Sequence, residues 1–349
     1  MDTITTVGID LAKSVFQIHA IDASGKLVLA KSVRRRDFLS VVRKMPPCLI
    51  GLEACASSHH WARQMMSMGH QVRLIPPAYV KAYVRRQKND AADAAAICEA
   101  VSRPSMRFVP VKTEAQQAAL MLHRVRTLLV AQRTALICAL RGHLAEFGLV
   151  SPTGPRNLAP LLEVLASEDD ESLPTPARQA LSPLVDQLRA LEARIEGLDR
   201  QVLEQHRANE LSVRLATIPG VGPLTASALA ASALAASVTD PTLFASGREF
   251  AAFLGLAPKQ NSSGGKERLG RISKMGDRYL RTLLVVGATA VLRHPKTSPS
   301  SVKTWAVGLL EKKPFKLAAV ALANKMARIA WAIMTRGETF RDGEPAMAA

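Results

Sequence analysis

At residues 88–97 the chain reads KNDAADAAAI, an acidic start to a run of strong helix formers. The run predicts a helix, and Asn89 or Asp90 suits the cap of its first turn. Asp90 and Asp93 are three residues apart, so a helix places both carboxylates on one face. Carboxylates this close repel each other unless a cation lies between them, and oxygen ligands suit magnesium. On their own, the two acids are more typical of a capped helix start, because the helix dipole favours acids in the first turn. The residues upstream reverse that interpretation.

Five strand-like segments precede this helix. Their apolar and alternating patterns predict three strands in a meander and then two strands separated by helices. A meander followed by alternating helices and strands predicts a mixed sheet in an α/β layer fold. The strands are predicted at residues 5–10, 15–21, 26–30, 48–53 and 71–75, and the helices at 37–44 and 58–68.

Two of the predicted core strands end in an acid, Asp10 and Glu53. Ligands of open α/β sheets gather at strand ends, and the helix with Asp90 and Asp93 follows the fifth strand. Four carboxylates converging there would hold two metal ions for a phosphodiester displacement. The segments Gly8-Ile9-Asp10, Gly51-Leu52-Glu53 and Lys88-x-Asp90-x-x-Asp93 resemble the DEDD signature of RuvC-like nuclease domains with a ribonuclease H fold.

The first of these segments also resembles the phosphate-binding hairpin of actin-like sugar kinases. Those kinases have small residues after the acid, whereas this chain continues with Leu11-Ala12-Lys13, and the sequence has no second Asp-Gly-Gly loop. The kinase interpretation is therefore rejected.

The chain is strongly basic: 46 Lys and Arg against 29 Asp and Glu give a formal charge of +17 over 349 residues. This surplus predicts a polyanionic partner, most simply nucleic acid. No apolar run is expected to be long enough to span a bilayer, and the N-terminus leads into a strand without a signal peptide, so no membrane is expected. The four cysteines, Cys48, Cys55, Cys98 and Cys138, are expected to be small buried residues of a reducing compartment.

The middle of the chain is predicted to be helical. Apolar residues recur at helical spacing over 113–147, and residues 148–176, rich in Pro, Gly, Ser and acids, predict an irregular connection. The next helix carries an apolar seam with heptad spacing, which can pack as a hairpin within one chain or as a coiled coil between chains. The seam is formed by Leu184, Leu188, Leu191, Ile195, Leu198 and Val202.

Two glycine-containing motifs lie in the C-terminal third. Residues 215–226, LATIPGVGPLTA, resemble a helix-hairpin-helix in which the turn at Gly220 and Gly222 exposes N–H groups to a phosphate. A tight turn between packed helices is the alternative. A Gly-rich loop around Gly264 follows, and a serine in it is either a phosphate contact or a nucleophile that nearby cations assist. The cations placed to bind phosphates are Lys259, Lys266, Arg268, Arg271, Lys274, Arg278 and Arg281.

Taken together, these motifs resemble one family. The DEDD domain and the helical middle are followed by IPGVGP at 218–223, GLAPKQNSSGGK at 255–266 and GRISKMGDRYLR at 270–281. This order is similar to that of insertion-sequence transposases of the IS110 family, in particular its IS1111 branch, which are relatives of the Piv DNA invertases.

The resemblance implies a mechanism and partners. It implies that Asp10, Glu53, Asp90 and Asp93 bind Mg²⁺, and that Ser263, the serine before Gly264, attacks DNA and forms a phosphoserine link. Ser262 leaves that assignment open by one residue. It also implies a structured guide (bridge) RNA that pairs with double-stranded donor and target DNA. Because site-specific strand exchange needs at least two active sites, a homo-oligomer (a dimer or a dimer of dimers) is expected, with the seam as its coiled coil.

The sequence thus predicts an α/β plus α protein. A RuvC-like mixed sheet occupies 1–110, a helical and coiled-coil oligomerisation region 111–210, and a mostly helical transposase domain with a helix-hairpin-helix and the catalytic serine 211–349. The expected function is a magnesium-dependent DNA transposase of the bacterial cytoplasm, associated with the nucleoid. The alternatives are a RuvC-like Holliday-junction endonuclease that uses metal-activated water, and a non-catalytic nucleic-acid-binding scaffold.

Overall fold

The computed structural model describes residues 3–84, 89–235, 244–294 and 300–342, with side chains up to residue 232 in the second range. The chain divides after Gln117. The residues before this point form one compact unit, the N-terminal unit, and most of those from Ala118 onward form the C-terminal unit. The finer division at residues 110 and 210 stays a prediction, and Lys88 of the acidic motif lies outside the described residues.

The N-terminal unit is built on a five-stranded mixed sheet with the strand order β3-β2-β1-β4-β5. The first three strands form the predicted antiparallel meander, and β4 and β5 continue from β1 in parallel. The predicted mixed sheet is therefore confirmed. The strands are β1 (Thr6–Leu11), β2 (Val15–Ile21), β3 (Leu27–Arg34), β4 (Leu49–Glu53) and β5 (Gln71–Ile75).

Helices pack on this sheet around an aromatic core. The rings of Phe16, Phe38 and Trp61 meet edge to face with centroids 4.8–5.2 Å apart, an arrangement that aromatic quadrupoles favour. One helix, α4, lies against β1, β2 and β4. The helices are α1 (Phe38–Val42), α2 (Ser58–Met66), α3 (Pro77–Val80) and α4 (Asp90–Val101).

The C-terminal unit begins with long helices. Most of α5 (Glu114–Ala145) packs with α6 (Ala159–Ala166) and α7 (Thr175–Ala208) around buried leucines such as Leu140, Leu161 and Leu188. The prediction of an irregular connection over residues 148–176 was wrong in part, because this segment contains the helix α6. The apolar stretch of α6 buries Leu161 and Leu165, and the Pro, Gly and acidic residues that flank it obscured this pattern.

The heptad seam lies on α7 and is used within the chain. Leu188, Leu191, Ile195 and Val202 are 1–4% exposed, and Leu184 and Leu198 are half-buried. Heptad spacing identifies an apolar face but does not identify what covers it. The burial agrees with the intrachain alternative, so self-association through this seam is not needed to explain it.

The remaining helices form the end of the C-terminal unit, where α13 packs on α10, α11 and α12. By length and apolar composition α13 is the one helix in the described ranges that could cross a membrane, contrary to the sequence expectation, and half of its apolar window is buried by the fold. The elements are α8 (Glu210–Leu215), α9 (Pro223–Ala235), α10 (Gly247–Phe253), β6 (Pro258–Gln260), β7 (Leu269–Ile272), α11 (Arg278–Arg293), α12 (Ser301–Leu310) and α13 (Phe315–Arg336).

The cysteines are free thiols, but they are not all buried as expected. Cys48 and Cys98 lie in the interior, whereas Cys55 and Cys138 are exposed. Burial raises the pKa of the Cys98 thiol to about 11. At neutral pH this thiol is therefore protonated.

Candidate active site and nucleic-acid interface

The first candidate site is a group of three carboxylates in the N-terminal unit. Asp10 is the penultimate residue of β1, and Asp90 and Asp93 lie in the first turn of α4. The side chain of Asn89 caps this helix by accepting a hydrogen bond from the Ala92 N–H at 2.7 Å, so Asn89 is the cap residue. The cap fixes the start of α4, and the helical spacing then directs both acids to the same side.

One carboxylate oxygen of each of Asp10, Asp90 and Asp93 lies within 4.8 Å of the other two. Octahedral Mg²⁺ binds oxygens at about 2.0–2.1 Å, so opposite ligands lie about 4 Å apart. The three acids therefore fit a hard divalent cation, with small rotations of their side chains. Asp10 and Asp93 are half-buried and Asp90 is exposed, so the site is open to a substrate on one side.

Glu53 occupies the neighbouring strand end but is not a member of the group of three. Strands β1 and β4 are parallel and pair Ile9 with Leu52, so Asp10 and Glu53 each follow a paired residue by one step. Successive side chains of a strand point to opposite faces, and equivalent positions of paired strands share a face. Three of the four predicted acids thus meet in one group, and the fourth ends the adjacent strand.

Two strand glycines explain how α4 reaches the sheet, and the sequence interpretation missed their role. Gly8 and Gly51 are partners in the β1–β4 register. A Cβ on Gly8 would lie 2.2 Å from the Ala94 carbonyl oxygen and 2.3 Å from the Cys98 nitrogen, and one on Gly51 would lie 2.8 Å from the Val101 Cβ. Glycine inside a strand signals such close approach. Each glycine stands two residues before a strand-end acid, so this signal was present in the sequence.

The second candidate site is a β-hairpin in the C-terminal unit. Strands β6 and β7 pair antiparallel, and the pairing extends to a bridge between Ser263 and Lys266. The two residues between them, Gly264 and Gly265, have φ of +58° and +74°. Positive φ at both central residues is the requirement of a type I′ hairpin turn, which glycine meets without strain. The segment predicted as a Gly-rich loop is therefore a hairpin with a two-residue turn, here called the serine hairpin (residues 258–272).

The two adjacent serines of this hairpin differ in their contacts. The Ser262 hydroxyl accepts a hydrogen bond from the Arg268 N–H at 3.2 Å, across the hairpin. The Ser263 hydroxyl makes no hydrogen bond to any residue in the described ranges, and Ser263 is exposed beside the turn. Ser262 thus stabilises the hairpin, whereas the Ser263 hydroxyl is available to a ligand.

The cations predicted to bind phosphates lie on the serine hairpin or within nine residues after it. All of them except Arg281 are exposed. Arg281 instead donates to the backbone carbonyls of Leu254 and Met275, at 2.9 and 3.0 Å, which fixes the base of the hairpin. The exposed cations are Lys259, Lys266, Arg268, Arg271, Lys274 and Arg278.

The Pro-Gly-Val-Gly turn joins α8 to α9. Gly220 has φ of +85°, and a Cβ there would lie 2.9 Å from the Gly287 carbonyl oxygen of α11, so this glycine is required by packing. Gly222 is exposed, and a Cβ there would meet nothing within 4 Å. The packing alternative therefore explains Gly220, and only Gly222 is open to a ligand.

Comparison with known proteins gives the family of the chain. A DEDD transposase model of IS110 elements matches residues 7–148, and the model "Transposase IS116/IS110/IS902 family" matches residues 212–303. The five-stranded mixed sheet is consistent with the ribonuclease-H-like fold of a DEDD domain.

Relatives match along almost the whole chain. It is 49% identical to a putative transposase of Sinorhizobium fredii, y4pF/y4sB, over 99% of this chain and 87% of the relative. It is 48% identical to a probable family 20 transposase of Pseudomonas aeruginosa, over 97% of this chain and 99% of the relative. The transposase of insertion sequence element IS1111A of Coxiella burnetii is 41% identical, over 98% and 93% respectively. The chain therefore belongs to the IS116/IS110/IS902 family of insertion-sequence transposases.

Proposed function

We propose that this transposase cleaves and rejoins DNA with two sets of residues, a metal-holding acidic group and a serine nucleophile. The acids are Asp10, Asp90 and Asp93, with Glu53 at the adjacent strand end as the fourth. The observation that carries the proposal is the approach of three carboxylates from two distant segments to within 4.8 Å. Carboxylates without a cation would repel each other at this separation.

The donor set suits Mg²⁺ as the bound metal. Three carboxylate oxygens and no nitrogen or sulfur ligand in the described group are the chemistry that magnesium prefers. When bound, the metal supplies stabilisation of the negative charge that develops on the phosphate oxygens. The acids of the chain would hold that metal, and the proton that the attacking hydroxyl loses ends on the leaving deoxyribose oxygen.

Ser263 is the proposed nucleophile. Its Oγ forms a bond to the phosphorus of the DNA backbone, the bond from phosphorus to one deoxyribose oxygen breaks, and that oxygen leaves as a hydroxyl. The product is a phosphoserine ester, which a deoxyribose hydroxyl of another strand can attack in the reverse sense to rejoin DNA. The exposed hydroxyl of Ser263, unlike that of Ser262, is free for this attack.

The cations of the serine hairpin bind the phosphates on either side of the attacked bond. Contacts between cations and phosphates do not depend on the base sequence, so these residues hold DNA without selecting a sequence. Selection is assigned to the bridge RNA, which the family resemblance implies and which pairs with double-stranded donor and target DNA. The exposed Gly222 is assigned a helix-hairpin-helix contact to a phosphate through its backbone N–H.

Strand exchange further requires more than one copy of the serine, so the active form is proposed to be a homo-oligomer, a dimer or a dimer of dimers. Because the heptad seam is buried within the chain, other surfaces hold the copies together. The site of action is the cytoplasm, on the DNA of the bacterial nucleoid, and no membrane is involved.

The test is the trapping of a covalent protein–DNA adduct. Wild-type protein, Mg²⁺, the bridge RNA and radiolabelled donor DNA are mixed and separated on a denaturing gel. We expect a labelled protein band that is lost in Ser263→Ala and kept in Ser262→Ala, which is the matched control one residue away. An adduct that is lost only in Ser262→Ala moves the nucleophile by one residue. Cleavage without any adduct assigns the reaction to a metal-activated water, as in the nuclease alternative.

A further inference from the structure

A basic cleft opens on the N-terminal unit, outside the acidic group and the serine hairpin. Its volume is about 760 Å³, and four of the residues that line it are the cations Lys13, Arg34, Arg35 and Arg36. None of the residues that line it in the described structure is acidic. Apart from an exposed pair between Arg36 and Asp37, at 3.5 Å, nothing acidic neutralises this concentration of charge within the described ion pairs.

The floor of the cleft is formed by aromatic rings with a cation stacked on them. The guanidinium of Arg35 lies over the rings of Phe16 and Trp61, 5.8 and 5.2 Å from their centroids. The Arg35 backbone N–H donates to the Ser14 carbonyl at 2.9 Å. Stacking and the backbone hydrogen bond hold this cation in place before any ligand arrives. Less side-chain conformational entropy is therefore lost when a ligand binds.

Trp61 belongs to the floor of the cleft. It lines the cleft and is only 6% exposed, so the Arg35 guanidinium stacks on a ring that the core holds in place.

The position of the cleft relates it to the acidic group. Lys13 and Ser14 form the turn after β1, and Lys13 is three residues beyond Asp10. Consecutive Cα atoms are about 3.8 Å apart, so the Cα atoms of Asp10 and Lys13 lie within about 11 Å of each other. Asp10 faces α4, whereas Phe16 on the floor of the cleft faces the other side of the sheet. A polynucleotide strand that crosses the sheet edge at the β1–β2 turn covers this distance in a few nucleotides.

We propose that this cleft, the Arg34–Arg36 cleft, binds the backbone phosphates of a nucleic-acid strand that runs past the acidic group. The assignment of that strand as the substrate rests on the proposed function, whereas the binding itself does not. The serine hairpin and the cleft are then two separate phosphate-binding surfaces, one on each unit. Single-stranded DNA, duplex DNA and RNA offer the same phosphate chemistry, so the probes must distinguish them.

The test measures affinity in EDTA, where no cleavage occurs. The full-length protein binds fluorescein-labelled 30-nucleotide single-stranded DNA, duplex DNA and RNA of one sequence, and fluorescence anisotropy gives Kd over a range of salt concentrations. The variant combines Lys13→Gln, Arg34→Gln and Arg36→Gln, which leaves the stacked Arg35 in place. The matched control combines Lys31→Gln, Lys44→Gln and Lys81→Gln, three exposed cations of the same unit that do not line the cleft.

We expect the cleft variant to bind at least one of the probes about tenfold or more weakly, with the slope of log K against log salt reduced by about 2 to 3. The probe that loses most identifies the bound nucleic acid. The control should keep the wild-type slope. Equal slopes for the cleft variant and the control on all three probes overturn the proposal. Because no metal or cleavage is involved, that failure is distinct from failure of the proposed function.

Discussion

The acidic group of the N-terminal unit and the serine hairpin of the C-terminal unit are built in opposite ways. The acids stand on β1 and α4, whose Val7, Ile9 and Ile97 are fully buried. Every residue of the hairpin from Pro258 to Arg271 is exposed. One set of proposed catalytic residues is therefore held by a packed core, and the other by an exposed two-stranded ribbon that is fixed only at its base.

This difference predicts how each part responds to its ligands. A packed sheet and helix hold side chains in one geometry before a metal arrives, as a metal site requires. A two-stranded hairpin without packing is marginally stable in water. We therefore expect the acidic group to be preorganised and the serine hairpin to become fully ordered only when nucleic acid neutralises its cations.

The largest effect is expected from Gly8→Ala, which disturbs the packing that holds the acidic group in place. The added Cβ would meet backbone atoms of Ala94 and Cys98 at 2.2–2.3 Å, so α4 must move away from β1 and carry Asp90 and Asp93 with it. A misplacement of about 1 Å can cost about 100-fold in rate, and overpacking destabilises by about 1–3 kcal/mol. DNA cleavage assays and thermal unfolding measure both effects.

The control for this variant is Gly308→Ala in α12, where a Cβ meets nothing within 4 Å. It should keep wild-type cleavage and gain about 0.5–1 kcal/mol of helix stability. If Gly8→Ala cleaves DNA at the wild-type rate, the close approach of α4 to the sheet is not what holds the acids together.

A smaller effect is expected on the rate at which trypsin cuts the serine hairpin, in the free protein and when DNA is bound. Without nucleic acid, trypsin should cut after Lys266 and Arg268 faster than after the exposed Arg200 inside α7, because a marginal hairpin opens more often than a packed helix. Duplex DNA should protect the hairpin sites about tenfold. Mass spectrometry of the fragments over time gives each rate. Equal cutting at both places in the free protein would show that the hairpin is as stable as the helix.

Much of the N-terminal unit could be predicted from sequence, because its signals are local. Strand alternation, the acid at the end of β1 and the cap at Asn89 each depend on neighbouring residues only. The pairing of Gly8 with Gly51 under α4 depends on register and helix placement, which no local pattern contains. The strand glycines signal a close approach in the sequence, but which helix approaches, and so the tight grouping of three acids, appears only in the folded structure.

The C-terminal unit was harder to predict for two different reasons. The heptad spacing of the seam correctly predicted the helix α7. Periodicity does not say whether a second helix of the same chain or another chain covers the apolar face. The serine hairpin was missed although Ser263-Gly264-Gly265-Lys266 fits a two-residue turn. Glycines beside cations predicted a Gly-rich phosphate-binding loop instead, and strands as short as β6, with three residues, have no alternation to detect.

The central claim is that Asp10, Asp90 and Asp93 form a metal site before nucleic acid binds, and Mn²⁺ binding to the free full-length protein tests it most directly. Mn²⁺ takes the same oxygen ligands as Mg²⁺, and electron paramagnetic resonance counts the free ion during a titration. Asp10→Asn and Asp93→Asn should each weaken binding at least about tenfold, since each removes a charged ligand. Asp37→Asn, an exposed acid of the same unit, should bind as the wild type does. Wild-type Mn²⁺ affinity in Asp10→Asn and Asp93→Asn would contradict the claim.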